Sequence, residues 1–236
     1  MSIDDALHYT PKQREDIVSA YPEHEREARA KGIPVLGSGR VFPIAEEKIR
    51  CTPIAIPAHW KRINGLDFGY DHPFAATSCA WDVDADCFYV TKEYRERATT
   101  PLIHSGAVKP WGEWIPCAWP HDGLQHDKGS CEELATQYTK HGLNMLPEHA
   151  THPDGGYGVE AGIFEMLERM QTGRWKVFET CGSWFGEFRL YHREDGKIIK
   201  LQDDLISSSR VALMMKREAS VKSVGVWKSP STKWVV

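Results

Sequence analysis

Apolar and β-branched positions crowd into three consecutive runs, Arg62 to Phe68, Phe74 to Trp81 and Cys87 to Tyr94, and the pattern predicts three strands. The last two are joined by DVDAD, a hairpin turn by composition. Helical spacing then alternates with short apolar runs. Helices are predicted over Thr99 to Val108, Ser130 to His141, Tyr157 to Thr172, Trp184 to Tyr191 and Asp203 to Glu218. The second has Ser130 as cap, Glu133 three residues on and Gly142 past its end, and the last offers Leu205, Val211, Leu213 and Met214 to a core. Strands are expected between them at Trp114 to Trp119, Leu143 to Leu146 and Trp175 to Phe178. This order predicts an α/β fold with a central mixed sheet of five or more strands, flanked by helices.

The pattern ahead of the strands is different. Thr10 caps a helix that Pro11 opens, with Gln13 in the capping-box position; Pro22 interrupts it, and a charged helix in EHEREARAKG stops at Gly32. The proline- and glycine-containing stretch from Gly32 to Trp60 then reads as an extended connector. Three parts are expected: residues 1–60 as helical segment and connector, 61–220 as the main domain, and 221–236 as a basic tail.

Composition narrows the classes. With 236 residues and 41% hydrophobic content the chain can bury a core without disulfide staples. Its six cysteines lack any CxxC spacing and read as reduced thiols in a cytosolic protein. No apolar run approaches a membrane span, and the acidic start MSIDDALHYTPKQRED is no signal peptide. The net charge of -4 gives no overall support to nucleic-acid binding. Locally, however, Arg210, Lys216, Arg217, Lys222, Lys228 and Lys233 stand against Glu218 alone, a net +5 in the last 27 residues. That stretch is either a solvated face or a phosphate-contacting surface.

Candidate chemistry lies where apolar runs end in acids. INGLDFGYDHPF delivers Asp67 at the end of a strand, and WIPCAWPHDGLQ delivers Asp122 before Gly123. In open α/β sheets the crevice at the carboxyl ends of strands is the usual ligand site. LQDDLISSSR opens the last helix with Asp203 and Asp204, which taken alone read more readily as dipole complementarity or capping than as ligands. Three carboxylates gathered together need compensating charge, and hard Mg²⁺ or Mn²⁺ suits such oxygen donors.

GLDFGYDHPFAA, WPHDGLQHDKGS and LYHREDGKIIKLQDDLISSSRVALM together resemble the acidic motifs of the C-terminal nuclease domain of the tailed-bacteriophage terminase large subunit. The resemblance covers Ile63 to Met215, and GIPVLGSGRVFP resembles the connector ahead of that domain. It implies a ribonuclease H-like fold and a metal-dependent endonuclease that cuts double-stranded concatemeric viral DNA during packaging. By motif, Asp67 and Asp122 match the strand-end metal ligands and Asp204 the helix ligand, with Asp203 a competitor; two ions, Mg²⁺ or Mn²⁺, are implied. Ser207 stands where related nucleases place a further acid or histidine. The implied partners are DNA, the small terminase subunit, the portal and an ATPase domain, in the host cytoplasm and at the procapsid portal.

No GxxxxGK[ST] phosphate loop occurs, so a nuclease fragment or truncated prophage product is expected rather than a complete motor. Around the acids, Lys128, His192, Arg193, Lys197 and Lys200 are candidates for DNA contact or for orienting water, with His121 and His126 of lesser interest. Each of these has a solvent-exposed or structural reading beside the functional one. The histidine-containing HDGLQH and EHATH show neither HExxH nor a Cys/His grid, which argues against zinc. Two other functions stay open: a noncatalytic docking or assembly domain, and a ribonuclease H-like enzyme for hybrids or branched DNA.

Overall fold

A computed structural model describes residues 3, 6, 8–22, 26–32, 39–125, 133–199 and 201–223. Two short helices come first, α1 (Pro11–Ser19) and α2 (Arg26–Ala30). The Thr10 hydroxyl accepts from the Gln13 amide and the Gln13 side chain accepts from the Thr10 amide, the reciprocal cap that TPKQ predicts. Then come α3 (Glu46–Ile49), β1 (Arg50–Cys51), β2 (Lys61–Asp67), β3 (Phe74–Asp82) and β4 (Cys87–Glu96). The chain continues through α4 (Pro101–Val108), β5 (Cys117–Ala118), α5 (Leu134–Lys140), α6 (Val159–Gln171), β6 (Trp175–Phe178), α7 (Gly182–Leu190), β7 (Arg193–Glu194), β8 (Lys197–Ile198) and α8 (Asp204–Met214).

Six strands form one mixed sheet in the order β1-β6-β4-β3-β2-β5. β2, β3 and β4 make an antiparallel meander, while β5 joins β2 in parallel and β6 and β1 extend the other edge in parallel. The β3–β4 register shifts at Ser78/Cys79, and the Thr91 hydroxyl donates to the Ser78 carbonyl there at 2.9 Å. Strands alternate their side chains between two faces, and each face has its own core. Ile63, Ala75, Cys79 and Phe88 pack with α6, α7 and α8; Leu66, Phe74 and Ala76 pack with Val108 of α4 and Ala135 and Tyr138 of α5.

Three expectations change. The stretch read as an extended connector contributes Val41, Phe42, Ile44 and Ile49 to the larger core and adds β1 to the sheet, so packing begins well ahead of Trp60. The expected strand at Trp114 to Trp119 shrinks to Cys117–Ala118, and Leu143 to Leu146 forms no strand, only a single bridge between Met145 and Cys117. Finally, the last helix stops at Met214 and yields to a single tight turn at Lys216–Glu218. Ser130, the expected cap of α5, and the tail from 224 onward lie outside the described residues.

Candidate active site

Period-two alternation explains where Asp67 points. Ile63, Gly65 and Asp67 share the β2 face covered by α8, while Leu66 serves the opposite core. Gly65 permits the helix to lie directly on the strand: a Cβ there would stand 1.9 Å from the Ser208 carbonyl oxygen and 2.9 Å from the Ala212 Cβ. α8 therefore runs close against β2, and its acidic N-terminus comes to the strand end that carries Asp67. Asp122 arrives at the same end of the sheet, because β5 is parallel to β2 and leads into a tight turn at His121–Leu124. Gly123 fits that turn between the rings of Trp119 and Phe68, which a Cβ would approach to 2.5 and 2.7 Å.

Asp67, Asp122, Asp203 and Asp204 line one cavity of about 620 Å³. Burial pushes the Asp67 carboxyl up to about 8; Arg210 pulls it down, and Asp203, Asp204 and Asp122 push it up further. Asp204 is itself buried and held: Arg95 Nε and Nη2 donate to its Oδ2 at 2.9 and 2.8 Å. Glu187, also buried, accepts from the Leu205 and Ile206 amides at 2.7 and 3.1 Å through Oε2 and so caps α8. Its pKa is about 8, raised chiefly by burial and lowered by those amides.

Both adjacent acids reach the cavity, Asp203 as the residue just ahead of α8 and Asp204 as its first residue. Ser207, Arg210, Val211 and Met214 follow one another at the spacing of a single helix face and line the cavity, with Asp203 at the cap position ahead of them. Asp204 also reaches the cavity, from the edge where Arg95 grips it. Among the described residues no three His, Cys, Asp or Glu side chains are gathered tightly enough to hold a metal ion as they stand. By donor chemistry the set nevertheless fits a hard divalent cation: carboxylate oxygens from three chain segments, one of them with its charged form strongly disfavoured until positive charge arrives. Asp67, Asp122 and the Asp203–Asp204 pair are the residues able to supply such ligands.

A profile described as the terminase RNaseH-like domain matches residues 64–216. The chain belongs to that family. Over 220 residues it is 53% identical to the terminase large subunit of Salmonella phage P22, a match covering 93% of this chain and 44% of that protein. The chain thus spans less than half the length of that curated relative. The structure of the P22 large terminase nuclease domain is similar at 50% identity and a TM-score of 0.74, covering 78% of this chain and 95% of that one. The large terminase nuclease domain of bacteriophage SPP1, solved with bound Mn, is 19% identical with a TM-score of 0.55, covering 73% of this chain and 99% of that one. At that identity the likeness is one of fold.

The terminase motifs bring other predicted residues to the cavity unevenly. Lys197 lines it from the β7–β8 hairpin, whose Asp195–Gly196 turn has left-handed backbone at both positions, φ 48° and 78°. Arg193 is tied to Glu160 of α6 by two hydrogen bonds of 2.8 and 2.6 Å, so its charge is already matched. His192 does not line the cavity; its Nδ1 donates to the Leu190 carbonyl at 2.7 Å. His121 sits on the rim, stacked on the exposed Tyr157 with ring centres 5.2 Å apart. Lys128, His126 and Lys200 lie outside the described residues. In the basic C-terminal stretch, Lys216 pairs with Glu165 and Arg217 donates to the Thr151 carbonyl, which removes both from a free phosphate-facing strip.

Reading the sequence missed Arg210 as a site residue, because it was counted with the tail. The signal was present: Arg210 follows Asp203 by seven residues, two helical turns on one face. Arg95 and Glu187 gave no comparable signal, since they meet Asp204 and the α8 amides only across the fold.

Proposed function

We propose that this chain is the nuclease part of a terminase large subunit and hydrolyses phosphodiester bonds of double-stranded, concatemeric viral DNA, using two divalent ions, Mg²⁺ or Mn²⁺. The observation that carries the reading is the delivery of Asp67, Asp122 and the Asp203–Asp204 pair from three chain segments to one cavity. Family membership and the Mn bound by the SPP1 domain support it.

When bound, two such ions supply an activated water and stabilise the departing oxygen. The chain's residues do the rest. Asp67, whose carboxyl is influenced by Asp122, Asp203 and Asp204, would hold the ions together with Asp122, which follows the neighbouring strand β5. Asp203, just ahead of α8, supplies the third ligand; Asp204, gripped by Arg95, either shares that task or fixes the helix start. This reverses the preference for Asp204 drawn from motif alone, and rests on the grip of Arg95 on Asp204. Lys197, at the cavity mouth, offers a cation to the DNA backbone. The small terminase subunit, the portal and an ATPase domain are the proposed partners, at the procapsid portal in the host cytoplasm. No helix among the described residues is long and apolar enough to cross a membrane.

The test is incubation of the purified chain with plasmid DNA, an RNA–DNA hybrid and a four-way junction, in Mg²⁺, in Mn²⁺ and in EDTA. Metal-dependent nicking and linearisation of the plasmid, abolished by EDTA, is the expected result. Cleavage confined to the hybrid or the junction would overturn the substrate assignment. Binding of DNA or packaging partners by folded protein with no cleavage in either metal would make it a docking domain instead.

A further inference from the structure

Arg210 is an unusual buried cation. Its side chain is 8% exposed, yet among the described residues its Nε has no hydrogen-bond partner, and its Nη1 donates only to the Met214 thioether at 3.2 Å. Thioether sulfur is a weak acceptor, and buried guanidinium groups are normally matched by carboxylates or carbonyls. Here Asp67 and Asp203 influence the guanidinium electrostatically without forming an ion pair with it among the described residues. The position is built rather than incidental. Gly162 of α6 makes a notch for the stem: a Cβ there would lie 2.7 Å from Arg210 Cγ and 2.9 Å from its Cδ. A cation with unused donors is thus held rigidly on the wall of the cavity that receives the carboxylates.

We propose that Arg210 contacts the substrate, its guanidinium donating to a non-bridging oxygen of the DNA phosphate seated over Asp67. The inference rests on the nuclease reading and adds the anion-binding half of the site. Guanidinium presents a planar fork of donors that matches two phosphate oxygens, and Arg210 lines the same cavity as Asp67, Asp122, Asp203 and Asp204. A mere counter-charge for Asp67 would gain most by bonding a carboxylate directly, which Arg210 does not do. A phosphate entering the cavity would instead bring the guanidinium the anionic partner it lacks.

The experiment uses the whole chain and the variants Arg210→Gln and Arg210→Lys, each checked for folding by thermal melting. Single-turnover plasmid cleavage in Mn²⁺ is expected to slow about 100-fold or more in Arg210→Gln, the usual scale for losing one donor to a developing oxyanion. Arg210→Lys keeps charge without the fork and should recover part of the rate while binding Mn²⁺ as the parent does in the absence of DNA. In the unsubstituted protein, the Arg210 Nε–H resonance should shift when a short duplex is added with non-cleaving Ca²⁺. Cleavage by both variants within about threefold of the parent would overturn the inference, as would an Nε–H resonance unmoved by saturating duplex. Absence of cleavage by the parent chain would instead strike the nuclease reading, so the two failures are distinguishable.

Discussion

At the scale of single residues, the site pairs function with a stability cost. Asp67 binds a proton more tightly in the folded state, with a pKa of about 8, than an unfolded aspartate does. The folded state therefore carries the extra proton between about pH 4 and 8, and the Asp67 contribution to stability is fullest below about 4 and is lost as pH rises towards 8. Asp67→Asn removes that cost: in metal-free buffer at pH 8 it should melt no lower than the parent, and higher by a few degrees, while cleavage falls by about 10³-fold or more. Calorimetry beside a plasmid assay checks both halves, and normal cleavage by folded Asp67→Asn would remove Asp67 from the mechanism. Asp203→Asn should cost more cleavage than Asp204→Asn, whereas Asp204→Asn should cost more stability, because it deprives Arg95 of its partner. The reverse order in paired cleavage and urea titrations would return the ligand role to Asp204.

His104 shows the opposite pH dependence. It is buried against Phe74, with ring centres 4.1 Å apart, and Nδ1 meets the Tyr138 hydroxyl at 2.8 Å; burial lowers its pKa to about 4. Its contribution is whole above the unfolded pKa of about 6.5 and drains away as pH falls towards 4, at about 1 kcal/mol per unit of pH. A His104→Gln variant should lose that slope in urea titrations between pH 7 and 4. An unchanged slope would mean that other groups govern acid stability.

At the scale of elements, the decisive contact is α8 on β2. The helix can approach only because Gly65 has no side chain, and this approach brings the Asp203–Asp204 end of α8 to the Asp67 end of β2. Gly65→Ala should destabilise by about 3 kcal/mol, the upper range for inserting a methyl group into packed surroundings, with a matching fall in urea midpoint. Little change in midpoint would show that α8 has room to lift. The same contact makes two strand-end aspartates into one site. Hairpin β7–β8 was legible from its Asp-Gly turn, and α1 from its cap, because both are decided by neighbours in sequence. The connector was not legible: the burial of Val41 and Phe42 depends on distant partners such as Phe188 and Tyr191, whose rings lie 5.9 and 5.7 Å from that of Phe42.

At the scale of the whole molecule, one sheet separates two cores and leaves the cavity where carboxylates from β2, the turn after β5 and the start of α8 come together. An ion bound there stabilises the native state alone, by an amount that grows with its concentration above the dissociation constant. Millimolar Mn²⁺ should therefore raise the melting temperature by several degrees, EDTA should reverse the shift, and the rise should be absent in Asp67→Asn. A shift of equal size in that variant would place the ion elsewhere. Net negative charge is compatible with DNA binding on this account, because Asp67, Asp122, Asp203 and Asp204 line the cavity where divalent ions would neutralise them.

The sequence by itself determined three consecutive strands with a hairpin between the last two, the acids at strand ends and at the start of the last helix, and the family to which those motifs point. Each of these is written in local pattern: period-two alternation, a carboxylate followed by glycine, a helix start. Tertiary structure alone decided that Arg95 holds Asp204 and that Glu187 caps α8 from another helix. The physical reason is range. Propensity and capping act over three or four residues, whereas the partner of a buried charge is chosen by whichever distant element the fold packs against it, and here Arg95 and Asp204 are 109 residues apart in the chain.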